Sequence, residues 1–211
     1  MIIVILGPDG SGKSTIADML ISSLSGDRVL VQHYAHRFGI LPPLSIFLPS
    51  RKGLFVSGND AISNEGPVYD LKQNSPLKSL AYVSWYGLDY LIGGVWLRLK
   101  NMVGEKKTVA IFARYFYDYY YQSNNRRLPD GIKRVIEYLV PQPRFIFFLD
   151  RDAQDIHDGK PELPVEEILN QQKIIVERMS KYPQFRVIDA RGGADRTAKK
   201  ICEVITTLAA K

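Results

Sequence analysis

An α/β fold, with a mainly parallel five-stranded sheet covered by helices on both faces, is predicted by three features of this sequence. Short apolar runs at residues 2–6, 29–33, 108–112, 145–149 and 186–188 alternate with longer stretches of helical period, the pattern of a sheet buried between two helical layers. The first run leads at once into a glycine-rich turn and then a helix-compatible stretch to Leu24. With 211 residues, 45% of them hydrophobic, the chain suits one three-layer domain spanning residues 1–211.

The turn reads Gly7-Pro8-Asp9-Gly10-Ser11-Gly12-Lys13-Ser14-Thr15. Strand, glycine-rich turn and helix in this order form a P-loop, whose backbone N–H groups converge on phosphate oxygens while the helix N-terminus adds partial positive charge. Lys13 is expected to reach the outer phosphates from a solvent-facing position without core packing, and Ser14 to place its hydroxyl on Mg²⁺. Gly10 and Gly12 let the backbone turn.

The second strand leads into His33-Tyr34-Ala35-His36-Arg37. Residues 41–64 carry Pro42, Pro43, Pro49, Gly53 and Gly58 without a sustained period, the mark of a disordered segment or a binding loop. An insertion near 41–67 is expected, with partial disorder around 50–67. Leu80 to Leu97 is the one long apolar stretch, but Asp89, Gly87, Gly93 and Gly94 interrupt it, so a largely buried helix is expected rather than a membrane span. The third strand ends at Ala113-Arg114-Tyr115, and Ile132, Val135, Ile136 and Leu139 then form an apolar helical stripe. After the fourth strand come Asp150-Arg151-Asp152 and a mobile lid-like segment near 151–163. Pro164, Glu166 and Glu167 open a helix that closes before Tyr182-Pro183, and Ile201, Val204, Ile205 and Leu208 mark the last one.

Net charge is +6 and the pI near 9.3, which suits anionic small molecules; the basic residues are spread along the chain and give little support for polynucleotide binding. Arg126-Arg127 and Lys133-Arg134 read as solvated surface. A single cysteine, Cys202, excludes a disulfide framework and a cysteine-based zinc cluster. With a five-residue apolar start that becomes a P-loop, this points to the cytoplasm.

In open α/β sheets ligands bind at the carboxyl ends of strands. Arg37, Arg114 and Arg151 all follow strands and are expected to converge with Lys13 on one cleft, as phosphoryl transfer requires for its spread negative charge. Asp150 has the position of a second metal carboxylate, with a structural or lid-hinge role the alternative. No Asn-Lys-x-Asp stretch exists, and the only Asp-x-x-Gly lies inside the P-loop, so a regulatory GTPase is disfavoured.

Gly-Pro-Asp-Gly-Ser-Gly-Lys-Ser-Thr, then Arg114-Tyr115, then Tyr121-Gln122, resembles the thymidylate kinase group of P-loop nucleoside monophosphate kinases. A closer likeness is to a thymidylate-kinase-like branch often encoded with bacterial surface-polysaccharide genes, carried by Arg37 with Leu41-Pro42-Pro43-Leu44, Leu77-Lys78-Ser79, Tyr86-Gly87-Leu88-Asp89-Tyr90, Arg114-Tyr115-Phe116-Tyr117-Asp118 and Lys160-Pro161-Glu162-Leu163. The resemblance implies a P-loop NTPase fold of nucleoside monophosphate kinase type, Mg²⁺ and ATP as cofactors, and a homodimer as an option. It implies catalytic roles for Lys13, Arg37, Arg114 and Arg151, nucleotide binding by Gly7, Asp9 and residues 10–15, and acceptor contacts from Asp9, Arg37, Tyr86, Tyr90, Arg114, Tyr121 and Gln122.

Three departures bear on the reaction. Ala113 stands where the family has the aspartate of Asp-Arg-Tyr, leaving Asp9, Asp118 and Asp150 as the nearby carboxylates. The Arg-Glu-Pro-Gly loop after the second strand is absent, with Arg37 alone matching its arginine. Tyr86 and Tyr90 occupy the helix positions of the thymine-holding phenylalanine and arginine. The rings between Tyr115 and Tyr121 divide between core and cleft. The lid offers Arg151, His157 and Lys160, Lys160 being either a lid cation or an ordinary solvated lysine. The expected function is ATP-dependent phosphotransfer to a small-molecule acceptor, a nucleoside monophosphate or a sugar-type molecule. The alternative is an ATP-binding module with weak or no catalysis because of Ala113.

Overall fold

The computed structural model describes residues 1–27, 29–44, 75–122, 125 and 127–209. The insertion expected near 41–67 lies, from residue 45 on, outside the described residues, as does Arg126. The elements are β1 (Ile2–Leu6), α1 (Lys13–Leu24), β2 (Val29–Tyr34), α2 (Pro76–Val103), β3 (Lys107–Phe112), α3 (Asp118–Tyr121), α4 (Asp130–Leu139), β4 (Phe145–Asp150), α5 (Ala153–Gly159), α6 (Val165–Met179), β5 (Phe185–Asp189) and α7 (Ala194–Ala209).

The strands pair in the order β2-β3-β1-β4-β5, all parallel. Period-two alternation divides each strand between two cores. On one face Ile2, Val4, Leu6, Phe112 and Phe148 meet Val83, Tyr90 and Leu97 of α2 and Ile175 and Met179 of α6. On the other, Ile3, Ile5, Ile111 and Phe147 meet Ile16 and Leu20 of α1 and Ile201 and Ile205 of α7. This is the three-layer α/β architecture the sequence predicts. Central β1 delivers the P-loop between the ends of β3 and β4, where chain connections diverge to opposite sides of the sheet.

Helix α2 starts at an N-cap Ser75, whose side chain accepts from Lys78 N at 3.3 Å, with Pro76 in the first turn. It is buried on one face only. Leu88, Ile92, Val95, Trp96 and Leu99 remain exposed, which corrects the expectation of a largely buried helix. The stripe on α4 is corrected likewise: Val135 and Leu139 are exposed while Lys133 and Glu137 are buried. Lys133 is therefore not solvated surface. Its ammonium lies 3.4 Å from Asp130 and over the Tyr120 ring, and Glu137 accepts from the hydroxyls of Tyr120 and Tyr182. A polar clasp thus joins α3, α4 and the segment after α6.

Candidate active site

Gly10 and Gly12 adopt φ of 89° and 91°, a left-handed backbone that side chains disfavour. These turns aim the chain from β1 into α1, whose first amides have no intrahelical acceptor. Ser14 and Thr15 are exposed at that helix end, and the Ser11 hydroxyl is buried without a hydrogen-bond partner among the described residues. A polyphosphate with Mg²⁺ fits this donor set: backbone amides and Lys13 for phosphate oxygens, the Ser14 hydroxyl for the ion.

Lys13 is not solvent-facing. Its side chain is 7% exposed, and its ammonium donates to the carbonyls of Gly7 and Pro8, both at 2.7 Å, with Asp9 Oδ1 at 3.5 Å. Asp9 Oδ1 also accepts from Arg114 Nη2 at 2.5 Å, so β1 and β3 each contribute to one ionic cluster. Burial works to raise the Asp9 carboxyl, but the charges of Lys13 and Arg114 outweigh it and hold it below the usual carboxylate range.

Asp118 at the start of α3 completes the cluster. It is 1% exposed, and its Oδ1 accepts from Tyr115 N at 3.4 Å. Burial pushes its carboxyl up to about 6, against the pull of Lys13, the Tyr121 hydroxyl and Arg114. Tyr121 is buried beside it, and Gln122 caps α3 through its amide to the Asp118 carbonyl at 3.0 Å. Ala113, also buried, brings no carboxyl to the end of β3.

The loop after β2 forms the other wall. Asp89 of α2, fully buried, accepts from Gly39 N at 3.0 Å, Leu41 N at 2.7 Å and Arg37 Nη1 at 3.4 Å. The residue that interrupts the apolar stretch of α2 thus anchors this loop. Arg37 also donates to the Leu41 carbonyl at 2.5 Å and stacks over Tyr86 at 5.1 Å. Tyr90 is corrected as an acceptor contact: it is fully buried, its hydroxyl donates to the His36 carbonyl, and its ring meets Phe112 and Tyr115. His36 was not singled out from sequence. Its ring lies edge-on to Tyr86 and Tyr119, and burial, with Arg114 and Arg37, lowers it to about 4, so the imidazole is neutral. Only the distant chain segments around it reveal this environment.

The third wall is α5, capped by Asp152, whose side chain accepts from Gln154 N at 2.8 Å. Ile156 lies on Ala153 and Ile168, and His157 Nδ1 is 2.8 Å from the Leu163 carbonyl. A methyl group on Gly10 would come within 3.1 Å of Lys160 Cβ, so the segment expected to be a lid is seated on the P-loop and is partly helical. Lys160 pairs with Glu162 at 2.9 Å. The Arg151 carbonyl accepts from Gln172 at 2.8 Å, but its side chain makes no ion pair among the described residues. Asp150 faces Arg191 at 3.9 Å rather than the Lys13 cluster. Among the described residues no group of three His, Cys, Asp or Glu side chains is placed to hold a metal. Asp9, Lys13, Arg114, Asp118 and Tyr121 are therefore brought together, with Arg37 and Tyr86 on the adjoining wall and Asp150 apart.

Comparison with solved structures finds this fold over nearly the whole chain. A thymidylate kinase from Candida albicans, described for the origin of its broad substrate specificity, matches with TM-score 0.61 at 16% identity, covering 99% of this chain and 92% of its own. A thymidylate kinase from Ehrlichia chaffeensis matches with TM-score 0.61 at 18% identity, covering 97% and 98%. The chain has a thymidylate kinase-like fold. No protein-family model matches it, and no curated protein matches it significantly in sequence.

Proposed function

We propose that this protein is an ATP-dependent phosphotransferase acting on a small-molecule acceptor, either a nucleoside monophosphate or a sugar-type molecule. The observation that carries the reading is the convergence of Lys13, Asp9 and Arg114 at the mouth of a P-loop, with Lys160 of the lid segment seated on Gly10. Residues 7–15 would hold the nucleotide and the Ser14 hydroxyl the Mg²⁺ ion. The bound Mg²⁺ and ATP supply the transferable phosphoryl group and the charge that shields it.

Lys13 must exchange the carbonyls of Gly7 and Pro8 for phosphate oxygens, and Arg114 must exchange Asp9 for them. Both exchanges leave the cations in place to balance charge in the transition state. Arg37, held by Asp89, and Tyr86 beneath its guanidinium would form the acceptor wall, and Lys160 with α5 would exclude water. Adenine over guanine rests on the resemblance alone.

A second reading, a nucleotide-binding module with little catalysis, is favoured by the alkyl side chain of Ala113 at the end of β3.

Calorimetric titration with Mg²⁺·ATP tests the first step: wild type binds, and Lys13→Ala loses binding. Undiminished affinity in the variant would remove the P-loop assignment. ADP release over nucleoside monophosphates, sugars and sugar phosphates then separates kinase from binding module. Turnover on dTMP should be weak, because the described acceptor wall places no arginine where a base-reading one is expected and substitutes buried Tyr90. Efficient dTMP turnover with no better acceptor would overturn that expectation.

The resemblance also suggests a homodimer. The exposed residues Leu88, Ile92, Val95, Leu99 and Met102 recur at spacings of four and three along α2, the seam by which two helices interlock. A second copy of this chain is the occupant proposed for it.

A further inference from the structure

We propose that His36 and Tyr119 form a subsite for an uncharged hydroxyl or carbonyl edge of the acceptor, beside the Arg37 that would hold the acceptor's anionic group. The inference deepens the kinase reading by naming the acceptor's chemistry, and it rests on that reading for the transfer step.

The loop after β2 is pinned through its backbone and Arg37. The Tyr90 hydroxyl donates to the His36 carbonyl, and buried Asp89 accepts from the amides of Gly39 and Leu41 and from Arg37. These bonds hold the loop against α2 and leave the imidazole out of the anchoring. His36 Nδ1 is buried and has no hydrogen-bond partner among the described residues. Its ring lies edge-on to Tyr86 at 5.8 Å and to Tyr119 at 6.2 Å, and the Arg37 guanidinium lies over Tyr86 at 5.1 Å. Tyr86 therefore joins imidazole and arginine in one wall. His36 and Tyr86 are each only half-buried, so the wall keeps an open side.

Tyr119 reaches this wall from α3. It is 4% exposed, and its ring packs edge-on to Phe116 at 5.3 Å. Elsewhere in this core the fold gives such hydroxyls an acceptor: the His36 carbonyl for Tyr90, the Pro141 carbonyl for Tyr115, the Gln142 side chain for Tyr117 and the Glu137 carboxylate for Tyr120. The Tyr119 hydroxyl has none among the described residues. A buried polar atom left unpaired is costly, and few in native proteins lack a partner. Two of them on rings packed against each other, in the wall assigned to the acceptor, are accounted for together when a ligand completes their hydrogen bonds.

The chemistry of the pair sets the class of ligand. A phenol both donates and accepts, and a neutral imidazole carries one donor and one acceptor nitrogen. Burial, with Arg114 and Arg37, lowers His36 to about 4, so the pair brings no charge to a phosphate. It suits a hydroxyl or a carbonyl, whereas Arg37 suits an anion. The acceptor is thus an organic anion with an uncharged polar edge beside its anionic group. Sugar hydroxyls and a base carbonyl both meet that description.

Calorimetric titration without nucleotide, using ribose 5-phosphate, dTMP and inorganic phosphate as probes, tests the assignment. Wild type is expected to bind at least one organic phosphate more tightly than inorganic phosphate. Tyr119→Phe and His36→Phe should each weaken that binding by about threefold to tenfold, the loss typical of one neutral hydrogen bond, and leave inorganic phosphate binding unchanged. Loss on ribose 5-phosphate alone assigns sugar hydroxyls, loss on dTMP alone assigns a base carbonyl, and loss on both assigns a hydroxyl, which the two probes share. Because its hydroxyl has no partner within the fold, Tyr119→Phe should also hold or raise the urea midpoint, which loss of a structural hydrogen bond would lower. A lowered midpoint overturns the proposal. So does a wild type that prefers neither organic phosphate, or a pair of variants that bind them as tightly as wild type does. A separate titration with Mg²⁺·ATP keeps the two readings apart: a wild type that binds none loses the kinase reading, while the nucleotide-free titrations still decide the subsite.

Discussion

Asp9 and Asp118 feel the same two cations, Lys13 and Arg114, and are driven in opposite directions. Asp9 retains access to solvent and lies within bonding distance of Arg114, so its carboxyl is held below the usual range. Asp118 is desolvated and is pushed up from 3.8 to about 6. A carboxyl raised on folding contributes stability that is full below pH 4 and is lost as pH rises through about 6. The shift corresponds to on the order of 3 kcal/mol. Asp118→Asn should therefore gain stability relative to wild type between pH 4 and pH 7, by up to that amount. Urea denaturation of both proteins across this range measures it. Taking their difference removes the opposite slopes of Asp9, Asp130 and Asp189, whose carboxyls are lowered. A difference that does not vary with pH would show that Asp118 does not titrate in this window.

Helix α2 gives up local helix propensity for contact at three positions. A methyl group on Gly93 would lie 2.1 Å from Phe38 Cγ, one on Gly94 2.0 Å from Pro141 Cγ, and one on Gly87 2.4 Å from Ile136 Cγ2. Phe38 follows Arg37 in the loop that Asp89 anchors, and its ring packs on Phe112 at 5.0 Å and Tyr34 at 5.1 Å. The glycine thus lets the loop after β2 lie directly on the helix. In an exposed helix Gly→Ala gains roughly 1 kcal/mol. At Gly93 the gain should be overridden by overpacking, which costs about 1–3 kcal/mol or more. Gly93→Ala is expected to lower the urea midpoint and to shift the Arg37 loop, whereas a raised midpoint would mean that Phe38 yields freely. Asp89 illustrates the limit of reading this element from sequence. It registers there as an interruption of an apolar run, but its three partners lie about fifty positions upstream, and no local pattern links them.

At the scale of the molecule, the apolar seam on α2 and exposed Val135, Tyr138 and Leu139 on α4 leave apolar side chains outside both cores. If a second copy covers the α2 seam, sedimentation should show a dimer, and Leu99→Glu should yield a folded monomer because a charge buried at such a seam lacks a partner. A monomeric wild type would remove this assignment. No helix among the described residues is long and apolar enough to cross a membrane. The strands, their parallel pairing and the P-loop were legible in the sequence, because each rests on local signals: period-two alternation, short apolar runs, and a glycine-rich turn at fixed spacing. Strand ends moved by only a residue, as at Tyr34 and Asp150, whereas α2 runs from Pro76 to Val103, beyond the apolar stretch at both ends. Which charged residues meet was legible only in part. Arg37 and Arg114 follow strands and so reach the carboxyl edge, but Asp150 ends a strand at the same edge and turns to Arg191. The burial of Lys13, Lys133 and Tyr90 was not legible at all, since the segments that cover them come from other elements. Sequence alone determined a sheet with a glycine-rich P-loop turn at its centre, because backbone geometry and periodicity are local. Tertiary structure decided that Asp9, Lys13 and Arg114 share one cluster and that Asp118 is buried, because coupling between charges depends on distance and desolvation, and only the folded chain sets those.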